Sequence, residues 1–390
     1  EKDTKSAIEK KHSADLESYK QNLNSSEKDY SSFNALMDKI LFFLFFDMAM
    51  DKSAADSYVY AKASGMLARS YVGERARQLF SFHTLQELWA FLFKKEVPVV
   101  PETLLAHALE QEAFERFIYD YKKLVGNYSE PDGIVLTLLR SFDYENLKDI
   151  SASLSLGEKK IPDIQKITPF NIINYDKWPD IASITFGGPL SWYNNIPPVS
   201  EQHLANYKLD CHYIMSIWNA AKQVHSSCRE EILKLIGEKI RIDNIVWAIR
   251  LRFYYKMQKE EIIPLLAYSS EKKESSDPLA YEAIRTLDWE LDNYDAWKNW
   301  KYSRLLNPHE EGVIWTIDPR WISNSYKSLY VKKAYKLFHK YPFTACPIVC
   351  WFIIKRNELD NIRTASESLR LSIDSSQAMQ MTGALEVING

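Results

Sequence analysis

Few side chains in this sequence stand in arrangements that could bind a metal. Cys211 adjoins His212, and His225 precedes Cys228 by three positions, so these four side chains could be drawn as a zinc site. Neither pair has the C-x-x-C or H-x-x-x-H spacing that is typical of zinc ligands. The sequence therefore predicts no metal site.

Two further groups could carry out chemistry. Cys346 and Cys350 lie four residues apart in an apolar segment, where cysteines more often pack as small apolar side chains than act in redox reactions. His107 lies close to Glu110 and Glu112, a set that could transfer protons, but such groups on a helix usually form a solvated face. We expect neither group to be catalytic.

Motifs for nucleotide binding and hydrolysis are absent from the sequence. It contains no G-x-x-x-x-G-K-[ST], G-x-G-x-x-G, H-E-x-x-H or G-x-S-x-G string. Glycine makes up only 11 of 390 residues, whereas nucleotide-binding folds depend on glycine-rich turns. We expect the chain to bind no nucleotide and no cofactor and to be no enzyme.

Charge and cysteine content restrict the possible partners and compartment. Lysine and arginine total 49 against 52 acidic residues, so the formal charge is -3 and nucleic acid is not an expected partner. The 4 cysteines are too few to stabilise 390 residues by disulfides, which favours a reducing, cytoplasmic setting.

The sequence also predicts that the chain does not cross a membrane. Its longest wholly apolar run, residues 40–46, is far shorter than the about 20 residues that a spanning helix needs. The first residues lack the apolar stretch of a secretory signal. We expect the run at 40–46 to be buried in a core, with contact to a membrane or to membrane-protein loops as the alternative.

Apolar residues recur every three or four positions along most of the chain, which predicts an all-α fold. Prolines interrupt this pattern between residues 151 and 199. The predicted organisation is a polar N-terminal extension (1–33), a first helical lobe (34–150), a proline-rich connector (151–199), a middle helical lobe (200–268), a third helical lobe with a polar and aromatic lead-in (269–371) and a flexible tail (372–390).

Three helical segments share a short string that indicates a weak internal repeat. Each has an acidic residue, an asparagine and then an aliphatic residue, with the asparagines at Asn146, Asn244 and Asn361. Asparagine is a mediocre helix former, so within an apolar helix we expect it to tie that helix to a neighbour. Coincidence among solvent-facing asparagines is the alternative.

Four segments, in order, resemble a family of V/A-type ATPase subunits, the C-type subunit family, which is also named the d-type. They are YVYAKASGMLARSYV with the following LQELWAFLF, then DYENLKDI, RIDNIVWAIRLRFYYKMQKEEIIPLL and PFTACPIVCWFIIKRNELDNIR. The last ends in the E-x-x-N-I-R string of Glu358, Asn361, Ile362 and Arg363. The resemblance spans about residues 58–371, and the N-terminal extension, the connector and the tail depart from the family pattern.

The resemblance implies an elongated, funnel-like body of three lobes at the cytoplasmic face of a membrane. Such a body would be a non-catalytic rotor subunit between the central-shaft subunits and the membrane ring of proteolipids, coupling ATP turnover to proton or sodium transport. Asn146, Asn244, Asn361, Ile362 and Arg363 would then have structural roles. A free-standing α-helical scaffold that binds cytosolic proteins is the alternative.

Three arginines adjoin apolar helix positions and need partners for their charge, namely Arg250, Arg252 and Arg363. We expect them to pair within the chain. Contact with a carboxylate of the shaft or the ring is the alternative.

Overall fold

The computed structural model describes residues 51–224, 227–310 and 312–382, the last three of these by backbone alone. Every regular element in this part of the chain is an α-helix or a 3-10 helix, which confirms the prediction of an all-α fold. The predicted extension at 1–33, the apolar run at 40–46, His225 and residues 383–390 lie outside the described residues.

The α-helices follow one another in this order: α1 (Lys52–Leu67), α2 (Leu85–Phe93), α3 (Glu102–Val125), α4 (Gly133–Ser155), α5 (Ile181–Thr185), α6 (Gln202–Lys222), α7 (Arg229–Tyr255), α8 (Lys259–Ile262), α9 (Tyr281–Thr286), α10 (Tyr294–Trp297), α11 (Pro319–Lys340), α12 (Cys346–Arg370) and α13 (Ser375–Thr382). Short 3-10 helices cover Gly73–Phe80, Tyr175–Lys177, Val199–Glu201, Ile263–Leu265 and Ser303–Leu305.

Local sequence explains where several helices begin. The Thr84 hydroxyl accepts a hydrogen bond of 3.2 Å from the backbone N–H of Glu87 and so caps α2. Asp318 caps α11 in the same way, through the N–H of Arg320 at 2.8 Å. Pro319 and Pro347 occupy the first turns of α11 and α12, where a missing N–H costs no intrahelical hydrogen bond.

Six helices of 21 to 27 residues dominate the described part of the chain. They form three antiparallel hairpins, α3 with α4, α6 with α7, and α11 with α12. In the first, the Tyr121 hydroxyl donates to the Val135 carbonyl at 2.7 Å, and the rings of Phe114 and Phe142 lie 4.8 Å apart. Few residues separate the two helices of each hairpin along the chain, so their pairing is local in sequence.

The second helix of each hairpin also packs against the first helix of another: α4 on α6, α7 on α11, and α12 on α3. Between α4 and α6, Tyr144 meets His212 at 2.7 Å and Lys148 meets Asp210 at 2.5 Å. Nearer the end of α4, Ser155 bonds to Gln202 at 3.2 Å. Residue numbers fall on one helix as they rise on the other, so the pair is antiparallel.

The other two pairs have the same antiparallel order. Lys333 and Lys340 of α11 pair with Glu238 and Glu231 of α7, respectively. On α12, Trp351 stacks on Tyr121 with ring centroids 5.8 Å apart. Further along α12, Arg363 reaches Glu110 at 3.5 Å. It follows that α3, α6 and α11 run in one direction, and their first residues lie at one end of the bundle, here called the connector end.

Two of the antiparallel pairs are covered by the segment that precedes their later-starting helix, and the pair of α3 and α12 is covered by residues that precede α3. Residues 156–201 pack Ile173, Ile181 and Leu190 against α4 and α6. Residues 256–318 pack a cluster that includes Leu266 and Trp297 against α7. Leu79, Phe80, Leu88, Trp89 and Leu92 form a third core with α3 and α12. The predicted lobe limits remain a prediction.

Helix length and hydropathy together decide whether a segment can cross a bilayer. Within the described ranges, no helix combines the length and the apolar character that such a crossing requires.

Candidate functional site

Asn146 fastens the connector to α4. Its side chain is buried, its Nδ2 donates to the carbonyl of Gln165 at 2.9 Å, and its Oδ1 accepts the N–H of Gln165 at 2.9 Å. One amide thus brackets one backbone residue with two hydrogen bonds. We call this arrangement an amide bracket.

Asn244 forms a second amide bracket on α7. Its Nδ2 donates to the Ala267 carbonyl and its Oδ1 accepts the Ala267 N–H, both at 2.8 Å, and Nδ2 also donates to the Leu279 carbonyl at 2.9 Å. The bracketed backbone lies 23 residues further along the chain, compared with 19 for Asn146. Both brackets satisfy buried polar groups that would otherwise be costly to leave unpaired.

Asn361 is equally buried on α12 but has different surroundings. Its Oδ1 has no hydrogen-bond partner within the described ranges. The next residue, Ile362, packs into the core with Leu105 and Ala365. The side chain of Arg363 is 74% exposed, and its Nε lies 3.5 Å from Oε2 of Glu110. The three asparagines of the repeat therefore differ in their contacts.

A buried acidic residue stands three positions before two of these asparagines. Asp143 accepts the N–H of Ile172 at 2.6 Å and the hydroxyl proton of Tyr175, and its burial raises its pKa to about 6. Glu358 accepts a hydrogen bond from the backbone N–H of Tyr71 and forms an ion pair with Lys355. Asp143 was not expected from the sequence to have a role, although it precedes Asn146 by the same three positions that separate Glu358 from Asn361, which would have been the signal.

A cavity of about 380 Å³ opens between α4, α6, α7, α11 and α12. Its walls include the apolar side chains of Leu138, Ile217, Ile240, Tyr326 and Phe352, and its charged lining consists of Lys239, Asp243, Lys327, Arg356 and Asp360. The lining places apolar surface beside several ionic groups, a combination that suits contact with protein side chains.

Helix geometry explains how the repeat string reaches both the brackets and the cavity. Asp243 and Asp360 immediately precede Asn244 and Asn361, and successive residues on an α-helix point about 100° apart. Each carboxylate therefore lines the cavity while its neighbouring asparagine is buried elsewhere.

The cavity carboxylates are neutralised within the chain, whereas one cation is not. Lys239 pairs with Asp243 at 2.5 Å, and Lys327 pairs with Asp360 at 2.9 Å. The guanidinium of Arg356 lies over the ring of Phe142, 4.4 Å from its centroid, and forms no ion pair with a described residue. The cavity can thus accept an additional negative charge beside apolar surface.

Comparison with known proteins identifies the family. Residues 59–381 match the model of the ATP synthase (C/AC39) subunit family. The chain belongs to this family. The match confirms the family indicated by the four sequence segments, and it makes the protein a subunit of a V/A-type rotary ATPase.

A curated relative covers nearly the same region. An uncharacterized protein of Treponema pallidum (strain Nichols) is 29% identical over 322 residues, which are 83% of this chain and 94% of that protein. This similarity agrees with the extent of the family match.

Of the candidate metal-binding and redox groups, the structure describes Cys211, His212, Cys228, Cys346 and Cys350. Within residues 51–224, 227–310 and 312–382, no group of three or more His, Cys, Asp or Glu side chains could hold a metal ion. His212 bonds to Tyr144, and Cys211 is half-buried. Cys346 and Cys350 are buried free thiols with their Sγ atoms 3.7 Å apart.

The candidate acid and base groups each have a different partner. His107 lies 2.6 Å from Asp163, and both side chains are largely exposed. Glu112 pairs with Lys95 at 2.5 Å, and Glu110 pairs with Arg363. These groups are therefore not gathered around a common substrate position.

The remaining two arginines belong to α7. Arg252 donates to the carbonyls of Leu287 and Trp289, which holds the chain after α9 against this helix. Arg250 is half-buried on the same helix.

Proposed function

We propose that this ATPase subunit is a non-catalytic rotor component that joins the central shaft to the membrane ring of proteolipid subunits. In this role it couples ATP turnover to proton or sodium transport from a peripheral position at the cytoplasmic face of the membrane. Family membership indicates the complex to which the chain belongs, and the observation that carries the coupling role is the cavity between five of the six long helices.

The cavity suits the foot of a shaft. A volume of about 380 Å³ has room for several side chains, and its apolar walls would bury them while its charges fix their orientation. Arg356 would receive a carboxylate of the shaft, because a guanidinium beside an aromatic ring in a partly desolvated site favours an anionic partner.

A coupling protein must also transmit torque without deforming. Phe117, Tyr121 and Trp351 are fully buried and stacked between α3 and α12, and such close-packed interiors resist deformation. The amide brackets of Asn146 and Asn244 add fixed connections between helix and connector. These features support a stiff body, for which we retain the funnel-like, three-lobed form as part of the proposal.

The experiment that tests this function is recovery of the tagged chain from detergent-solubilised membranes. We expect shaft and proteolipid subunits to be recovered with it. Recovery with soluble proteins alone would support the free-standing scaffold instead and contradict the proposal. Membership in a rotary-ATPase subunit family argues against that alternative.

A pair of matched variants sharpens this test. Arg356→Ala should weaken binding of the shaft and leave binding of the ring unchanged. Arg285→Ala serves as the control, because its half-exposed guanidinium lies outside the cavity. Equal shaft binding by both variants would remove Arg356 from the proposed contact.

A further inference from the structure

A second cavity, of about 660 Å³, lies between α3 and the first part of the connector. One wall is a face of α3 that includes Phe114, Ile118 and the 56% exposed Tyr119, and the other wall is residues 161–166. We call this cavity the connector groove. It shares no lining residue with the cavity of about 380 Å³, so it is separate from the proposed shaft contact.

The connector wall of this groove is an extended backbone. Residues 161–167 have no regular secondary structure. Asn146 brackets Gln165, and two positions later the N–H of Ile167 donates to the hydroxyl oxygen of Tyr175 at 3.4 Å, beside Asn146. Backbone groups two residues apart point to the same side in an extended chain. The backbone groups of the intervening residues therefore point away from α4.

Those intervening backbone groups are unpaired. Across residues 51–224, 227–310 and 312–382, neither the N–H nor the carbonyl of Ile164 or Lys166 takes part in a hydrogen bond. An extended segment with unpaired backbone groups is a template for a further strand. At about 3.3 Å per residue, the six residues of this wall provide an edge about 20 Å long, which suits a short peptide.

Charged side chains give the connector groove two unlike ends. Asp163 pairs with His107 near the start of α3, and Glu115 lines the half of the groove nearer to that end. Towards the end of α3 the lining is basic, with Lys122 from the helix and Lys166 from the connector. A bound chain with one acidic and one basic side chain would therefore fit in one direction only.

We propose that the connector groove binds an extended peptide of another protein, which adds a strand to the backbone edge of Ile164 and Lys166. In antiparallel pairing, the commoner arrangement, residues directly opposite each other lie on the same face. The peptide residues opposite Lys166 and Asp163 should therefore be acidic and basic, in that order along the peptide and three positions apart. The two residues between them should be apolar, because Tyr119 lines the groove. This inference goes beyond the proposed rotor role and does not depend on it.

The test uses the full chain and two fluorescein-labelled octapeptides of identical composition, GSEVIKSG and its charge-reversed counterpart GSKVIESG. Fluorescence anisotropy at low salt measures their binding, because exposed ion pairs are screened at high salt. We expect GSEVIKSG to bind at least about tenfold more tightly, since charge reversal replaces two favourable pairs with two like-charge contacts.

A matched pair of protein variants tests the position of the site. Glu115→Lys combined with Lys166→Glu cancels the charge at each end of the groove and should abolish the preference between the two peptides. The control, Glu230→Lys combined with Lys234→Glu, makes the same exchange on α7 outside the groove and should retain the preference. Thermal unfolding checks that both variants keep the fold, which we expect because all four side chains are exposed.

A second pair of peptides tests the backbone pairing. N-methylation of either the valine or the isoleucine amide of GSEVIKSG removes one N–H, and only one of two neighbouring amides in an added strand faces its partner. One methylated peptide should lose at least about tenfold in affinity, whereas the other should bind as the parent does.

Three outcomes would overturn the inference. The first is equal binding of GSEVIKSG and GSKVIESG, as expected of a site that recognises apolar side chains alone. The second is an equal effect of the two methylations, and the third is no binding of either peptide at about 1 mM. None of them bears on the rotor role, which is tested by recovery of shaft and proteolipid subunits.

Discussion

The same short string occurs on α7 and on α12, yet the two regions use it differently. On α7, Asn244 brackets the backbone of Ala267 with both ends of its amide. On α12, the Oδ1 of Asn361 has no partner in the described part of the chain, and Glu358 instead accepts a backbone N–H from Tyr71. A repeated sequence thus specifies a repeated helix but not a repeated contact.

The cause of the difference is the origin of the covering segment. Residues that follow α4 and α7 fold back over those helices and meet Asn146 and Asn244. Helix α12 is covered in large part by residues 71–93, which come from the opposite end of the described chain. An asparagine that brackets a loop in one place therefore packs against a different element in the other.

The largest effect should come from placing a charge beside the bracket of α7. Ile245→Asp buries a carboxylate at a fully buried position and should destabilise the protein by about 4 kcal/mol or more. Chemical denaturation followed by circular dichroism measures this loss. The control Ile245→Val should cost only about 1 kcal/mol. A folded Ile245→Asp chain that still couples hydrolysis to ion transport would contradict a tightly packed α7.

The next largest effect should come from removing a bracket. Asn244→Leu leaves the N–H and the carbonyl of Ala267 without their partner, and should lower the free energy of unfolding by about 2 to 3 kcal/mol. Asn146→Leu should cost slightly less, because its amide brackets Gln165 without a further backbone carbonyl. Urea unfolding compares the two. If both variants lowered the free energy of unfolding by less than about 0.5 kcal/mol, the amide brackets would not stabilise the fold.

A pH-dependent effect of about the same size as the loss of a bracket is expected at Asp143. Burial raises its folded-state pKa to about 6, above the about 3.9 of an unfolded chain, so the folded state holds the proton more tightly. Stability from this group is fully present below about pH 4 and is lost as the pH rises through about 6, by about 2 to 3 kcal/mol. Unfolding from about pH 4 to about pH 7 should show this decline relative to Asp143→Asn. A constant difference between the two proteins would contradict it.

The smallest effect should come from Asn361→Leu, the matched counterpart of Asn244→Leu. Because its Oδ1 satisfies no group in the described residues, replacement by an apolar side chain of similar size should change stability by less than about 1 kcal/mol. A loss equal to that of Asn244→Leu, measured under the same conditions, would show that the two regions are equivalent after all.

Much of the fold could be predicted from the sequence. The spacing of apolar residues predicted an all-α chain, and the four ordered segments identified the family. The pairing of α12 with α3 was not predictable, since it joins residues more than two hundred positions apart and no local pattern records it. For the same reason, the repeat string led to one common expectation for Asn146, Asn244 and Asn361.

Less of the candidate site could be predicted from the sequence. The repeat string drew notice to its asparagines, but the cavity lining depends on the neighbouring Asp243 and Asp360 and on Arg356, which pack from different helices.

The most direct test of the coupling role is rotation of the proteolipid ring in single complexes that hydrolyse ATP. A probe on the ring should rotate in the complete complex. It should stand still in a complex assembled without this chain, while a probe on the shaft continues to turn. Ring rotation at the same rate in the absence of the chain would contradict the account.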